Sequence, residues 1–166
     1  GGTVTNAMGA HTLAGDATEN HAVISGGAVT GSLKGAQSAG KAVKNTVEVK
    51  GGNLSGASVM GAEAAGDAEK NSVTITGDAT VGGDVYGGFA AGTGATTGNT
   101  VNLGDGTAAG KITLAAGTAS VTGTIYGGNK ADVTGNTLNI NTNANVGNIE
   151  NFEKLVFDLN STVNTA

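Results

Sequence analysis

The sequence predicts an all-β chain folded as a right-handed parallel β-helix, a solenoid of about six rungs. Three observations carry this expectation. An Asn followed by alternating apolar residues recurs five times: Asn20–Ile24 (NHAVI), Asn45–Val49 (NTVEV), Asn71–Ile75 (NSVTI), Asn99–Leu103 (NTVNL) and Asn136–Ile140 (NTLNI). The spacings are 25, 26, 28 and 37 residues, and the shorter three suit one solenoid coil. The composition points to a narrow interior, with 31 glycines in 166 residues, no Pro, Cys or Trp, and 3% aromatics.

The first element of each repeat is the Asn-led strand. Residues two and four past the Asn are apolar: Ala22/Ile24, Val47/Val49, Val73/Ile75, Val101/Leu103 and Leu138/Ile140. Those between are mostly polar: Glu48, Thr74, Asn102 and Asn139. That is the period of two expected of a strand with one buried face. A second element follows, with paired apolar positions Val29/Leu33, Leu54/Val59, Val81/Val85, Val121/Ile125 and Val146/Ile149. The N-terminal Val4, Met8 and Gly9 fit the same pattern. A third element is short and small: Ala14–Ala17 (AGDA), Ala39–Ala42 (AGKA) and Ala65–Ala68 (AGDA). Strands of neighbouring rungs would lie about 4.8 Å apart, so six rungs would stack to about 30 Å.

Aligning the second elements gives an outward column of Met8, Lys34, Met60, Tyr86, Tyr126 and Glu150. Behind it run Gly9, Gly35, Gly61, Gly87 and Gly127, expected to mark a bend where positive φ favours Gly. The near copies Asp84–Phe89 (DVYGGF) and Thr124–Asn129 (TIYGGN) are then corners, with Tyr86 and Tyr126 stacked on adjacent rungs. The Asn column reads as a structural ladder, each Asn taking the left-handed backbone of a bend, which it tolerates, with its amide bonded along the axis. Asp16, Lys41 and Asp67 alternate in sign on neighbouring rungs.

The repeat breaks in two places. The fourth rung is 37 residues long, and its excess forms an insertion near 104–120. Within it Lys111–Leu114 (KITL) alternates like a short strand. The segment Phe89–Gly98 reads as a neighbouring loop. Residues 1–150 make the rungs. Residues 151–166 are a bulkier terminal rung or the start of the next segment, with Leu155, Phe157 and Leu159 alternating. The opening Gly1–Val4 reads as the middle of a repeat, so the sequence is expected to be part of something longer.

Several functions are disfavoured. The formal charge is −5 and all eight basic residues are Lys, with no patch suited to nucleic acid. No Gly-X-Y period is present, and no apolar run reaches the length of a membrane span. The 13 carboxylates show no paired arrangement of the kind a glycosidase needs. His11 and His21 have no recurring partners and are expected at the surface. Neither a phosphate loop nor a metal-ligand spacing appears. No catalytic residue, metal or cofactor is expected. The candidate binding residues are Tyr86, Phe89, Lys111 and Tyr126.

The NTV-led strands, the V/I-Y-G-G corners and the closing Asn151–Leu159 (NFEKLVFDL) resemble passenger domains of type V autotransporters of Gram-negative bacteria, the large adhesins in particular. The resemblance runs over nearly the whole chain as a pattern. It implies a right-handed parallel β-helix displayed at the cell surface and anchored through an outer-membrane domain outside this sequence. It also implies a host-cell or bacterial surface receptor, protein or glycan, and no catalytic residues. A monomer is expected. The alternatives are the head of a trimeric autotransporter adhesin, whose small-residue repeats Ser38–Asn45 and Asn129–Asn136 resemble, and a β-helical polysaccharide-acting enzyme. An ice-binding solenoid would need a regular Thr ladder, and Thr74 and Thr76 do not recur in register.

Overall fold

The computed structural model describes residues 1–104, 119–142 and 144–157. The regular structure among them is all β. Parallel strands stack into a β-solenoid of about five turns, consistent with a parallel β-helix. The six expected rungs correspond to six strand layers, of which the end ones are partial.

The five Asn-led segments and one further strand form a sheet of six strands. In order along the axis they are His21–Ile24, Thr46–Val49, Ser72–Ile75, Thr100–Leu103, Thr137–Ile140 and Lys154–Phe157. The repeats pair position for position, so Val47, Val73, Val101 and Leu138 form one column. A one-residue slip would turn every apolar side chain outward, so the alternation itself fixes the register. Lys154–Phe157 extends the sheet with Leu155 beside Leu138 and Phe157 beside Ile140. On this last described strand the two side chains remain 48% and 54% exposed.

The second elements form a larger sheet that turns a corner. Val29, Leu33, Leu54, Val59, Val81, Val85, Val121 and Ile125 all point inward and are buried. They pack against the first sheet to make the aliphatic core. The small third elements, Ala17–Thr18, Ala42–Val43 and Ala68–Glu69, form a three-stranded sheet. Its core is alanine alone: Ala17, Ala36, Ala42, Ala62, Ala64 and Ala68. Opposed backbones there leave room for methyl groups only, which accounts for the small-residue segments.

A ladder of buried amides joins the rungs. Asn45, Asn71, Asn99 and Asn136 have no exposed surface. Each Oδ1 accepts the backbone N–H of the Asn one rung earlier: Asn20 to Asn45 at 3.0 Å, then Asn45 to Asn71, Asn71 to Asn99 and Asn99 to Asn136 at 2.9 Å. Each Nδ2 reaches a carbonyl across the turn, as Asn71 does to Ala42 at 3.0 Å. Buried polar groups are thereby satisfied along the axis.

Three expectations change. The left-handed residue at this turn is not the Asn but the one before it: Glu19, Lys44, Lys70, Gly98 and Gly135, with φ of 59°, 58°, 55°, 65° and 71°. The Asn itself, whose φ is not positive, turns its Oδ1 to the rung before it. Positive φ is also not what requires Gly9, Gly35, Gly61, Gly87 and Gly127, none of which is left-handed. Crowding requires them: a Cβ on Gly87 would lie 2.6 Å from the Gly127 carbonyl and 2.8 Å from Asn99 Cβ. Finally, Phe89 and Ala90 belong to the strand Val85–Ala90, and the expected loop begins only after them. Most of the 104–120 insertion, including Lys111 and the Lys111–Leu114 strand, lies outside the described residues, as do Leu159 and residues 160–166.

Candidate functional site: an aromatic furrow on the outer corner

The outward column forms as the alternation predicts. Met8 pairs with Lys34, Lys34 with Met60, Met60 with Tyr86, Tyr86 with Tyr126 and Tyr126 with Glu150. A second outward column faces it, in which His11, Gln37, Glu63 and Phe89 are successive partners. Residues three apart in a straight strand point to opposite faces. Here Gly87 and Gly88 both turn inward and are buried, which resets the alternation. The outer face therefore closes on itself along the corner, and side chains three apart touch. The Tyr86 and Phe89 rings meet edge to face, with centroids 5.2 Å apart and planes at 87°. Two rungs away Lys34 Nζ lies 3.3 Å from Gln37 Oε1.

Tyr86 and Tyr126 stack, with centroids 4.7 Å apart and planes at 6°. The Tyr86 hydroxyl donates to Asp84 Oδ2 at 3.3 Å, and Asp84 Oδ1 accepts the Thr124 N–H at 2.9 Å. Burial, then the Asp84 carboxylate, pushes the Tyr86 phenol up to about 12. Lower in the furrow Lys34 Nζ sits 2.6 Å from Glu63 Oε2, with side chains only 12% and 23% exposed. Beside Gln37 and Glu63, a hollow of about 210 Å³ is lined also by His11, Leu13 and Ala65.

Of the sequence-predicted binding residues, the structure brings Tyr86, Phe89 and Tyr126 together. Lys111 lies outside the described residues. Sequence reasoning missed the facing column of Gln37 and Glu63. Its signal was present: each residue stands three past its partner, after a Gly-Ala or Gly-Gly pair. The outward Thr/Ser position beside the Asn column, where the sequence also places His21, forms a hydroxyl column of Thr46, Ser72, Thr100 and Thr137, in register on the outside of the first sheet. These residues directly follow the ladder Asn. The column beside it is mixed, with Glu48, Thr74, Asn102 and Asn139; Asn139 Nδ2 donates a hydrogen bond to Asn102 Oδ1 at 2.8 Å.

Some of the remaining charges join neighbouring rungs. Lys41 Nζ meets Asp67 Oδ2 at 2.7 Å, and the Lys41 N–H donates to Asp16 Oδ1 at 2.8 Å. His21 is on the surface, 3.4 Å from Glu48. Among the described residues no group of three or more His, Asp or Glu is placed to hold a metal ion. Comparison with protein-family models, curated proteins and solved structures finds no match.

Proposed function

We propose that this chain is a structural and adhesive segment of a bacterial surface protein, resembling an autotransporter passenger, and that it works by display and attachment without catalysis. The observation that most supports the reading is the rung-to-rung register. Each strand pairs with its counterparts on adjacent rungs, and the Asn ladder locks the rungs from within. Such stacking yields a stiff rod whose stability sums over neighbouring rungs. Outward positions are left free to carry recognition. Glu63 and Asp67 are held by Lys34 and Lys41, an arrangement suited to cohesion rather than to acid–base chemistry.

In this reading the segment stands outside the cell, anchored by an outer-membrane domain beyond this sequence, and meets a receptor on a host cell or a neighbouring bacterium. The test is attachment of the purified fragment to host cells and to a glycan array, beside a version lacking residues 105–117. Binding lost on deletion, with the β circular dichroism retained, places adhesion in the insertion. Binding that survives the deletion places it on the rungs. No binding by the intact fragment overturns the adhesive role and leaves a stalk.

A further inference from the structure

The chain has two Met and two Tyr, and all four stand on the one outward column of the corner. A chain with 3% aromatics thus places its tyrosines where they contribute nothing to the core. Aromatic and Met side chains on an outer face are the residues that anchor interfaces. They are also already ordered. Tyr86 is fixed by the Tyr126 stack, the Phe89 edge and the Asp84 hydrogen bond, so a ligand would meet little loss of rotamer freedom.

Among the described residues the charge around these rings is negative. Asp84 lies at one margin, two residues before Tyr86, and Glu150 follows Tyr126 on the next rung. Lys34, the cation of the same column, is neutralised by Glu63 two rungs away from the Tyr pair. Lys130, the lysine nearest in sequence, follows Asn129 and falls outside the Asp84–Tyr86 and Tyr126–Glu150 columns. One face of Tyr126 is covered by Tyr86; the other looks toward its partner on the next rung, the carboxylate Glu150, while Phe152 of that rung packs against the core. An electron-rich ring face beside a carboxylate suits a cation: the ring quadrupole and the charge attract it together. It would repel an acidic glycan.

We infer that this end of the furrow docks a basic segment of a partner protein, seating an arginine or lysine side chain against the Tyr86–Tyr126 stack between Asp84 and Glu150. The inference rests on the adhesive reading above and names the chemistry of its receptor.

The test uses the fragment itself. It contains no Trp, so its emission comes from Tyr86 and Tyr126 and reports directly on the site. The probes are the peptide Gly-Arg-Gly-Arg-Gly, its neutral citrulline twin and a neutral glucan hexasaccharide. The Arg peptide is expected to give a saturable emission change, to bind about tenfold more tightly than the citrulline twin, and to weaken with salt. By calorimetry, Glu150→Gln should weaken it about fivefold and Tyr126→Ala by at least as much. Glu19→Gln, at a carboxylate outside the furrow, should leave it unchanged. Equal affinity for the citrulline twin, a response to the hexasaccharide in its place, or indifference to Glu150→Gln overturns the inference. Glu150 is an exposed side chain, so that variant remains informative if Tyr126→Ala fails to fold. If the fragment adheres to cells but ignores the Arg peptide, the inference fails and the adhesive reading stands. If it binds the peptide but no cell, the adhesive reading fails alone.

Discussion

Replacing Asn71 with Ala should unlock the rod from the inside. Asn71 is fully buried. Its Oδ1 accepts the Asn45 backbone N–H at 2.9 Å and Asn45 Nδ2 at 3.0 Å. Its Nδ2 donates to the Ala42 carbonyl at 3.0 Å and to Asn99 Oδ1 at 3.3 Å. Alanine removes all four. Asn45 Nδ2 keeps the Ala17 carbonyl, and Asn99 Oδ1 keeps the backbone N–H of residue 71. The Asn45 N–H loses its acceptor inside the protein. An orphaned buried donor costs about 1–3 kcal/mol, and the other lost bonds bring the total to about 3–5 kcal/mol. Asn20→Ala is the internal control. Asn20 ends the described ladder, half-exposed, and its Nδ2 bonds only Asn45 Oδ1 and the Thr18 carbonyl. Its loss strands no N–H among the described residues and should cost about 0.5–1.5 kcal/mol. Urea unfolding of the two variants side by side reads the difference as a shift in midpoint at constant slope. Amide exchange at Asn45 locates it. Equal losses in the two variants, or an Asn45 amide as protected as before, would refute the ladder as the source of cohesion.

The corner glycines should tolerate no side chain. Gly87→Val and Gly127→Val are each expected to lose more than ~1 kcal/mol from overpacking. Gly26→Ala, where a Cβ meets nothing within 4 Å, should stay within about 0.5 kcal/mol of the parent; unchanged melting in both valine variants would sink the crowding argument. Asp84→Asn should bring the Tyr86 phenol down from about 12 toward its usual 10, read by phenolate absorbance, and an unmoved titration would deny the Asp84 contribution. The Lys41 ammonium, then the Ala95 N–H, holds the Asp67 carboxyl below its ordinary 3.8. A depressed carboxyl stabilises the fold at neutral pH, and that contribution is lost as pH falls from about 3.8 through the lower folded value. Lys41→Ala should return the Asp67 titration toward 3.8 by NMR and shrink this acid limb. A Tyr86→Ala, Tyr126→Ala double-mutant cycle should give a coupling of about 0.5–1.5 kcal/mol, and zero coupling would mean that the stack contributes nothing to stability.

The in-register repeat was legible because each position in a parallel solenoid sits directly on its copy one rung away. Asn, apolar, polar, apolar spaced by one coil is both a one-dimensional pattern and a three-dimensional column. The core positions, the Asn ladder and the Tyr86–Tyr126 stack follow from that identity alone. Even the opposite signs of Lys41 and Asp67 could be read, since neighbouring rungs place them side by side.

What sequence could not supply was the path of the backbone between columns. Gly87 is consistent with positive φ, with a bulge or with a close approach, and all three read as the same letter. Only the structure showed that Asn99 Cβ and the Gly127 carbonyl occupy the space a side chain would need. The left-handed turn likewise fell on Lys44 and Lys70, residues with no intrinsic preference for it, and not on the ladder Asn that follows each. The furrow depends on the same bend. Phe89 meets Tyr86, and Gln37 meets Lys34, only because two consecutive residues turn inward between them. Periodicity along the chain determined which residues stack. The bend between the columns, set by packing against the opposite wall, decided which stacks face one another.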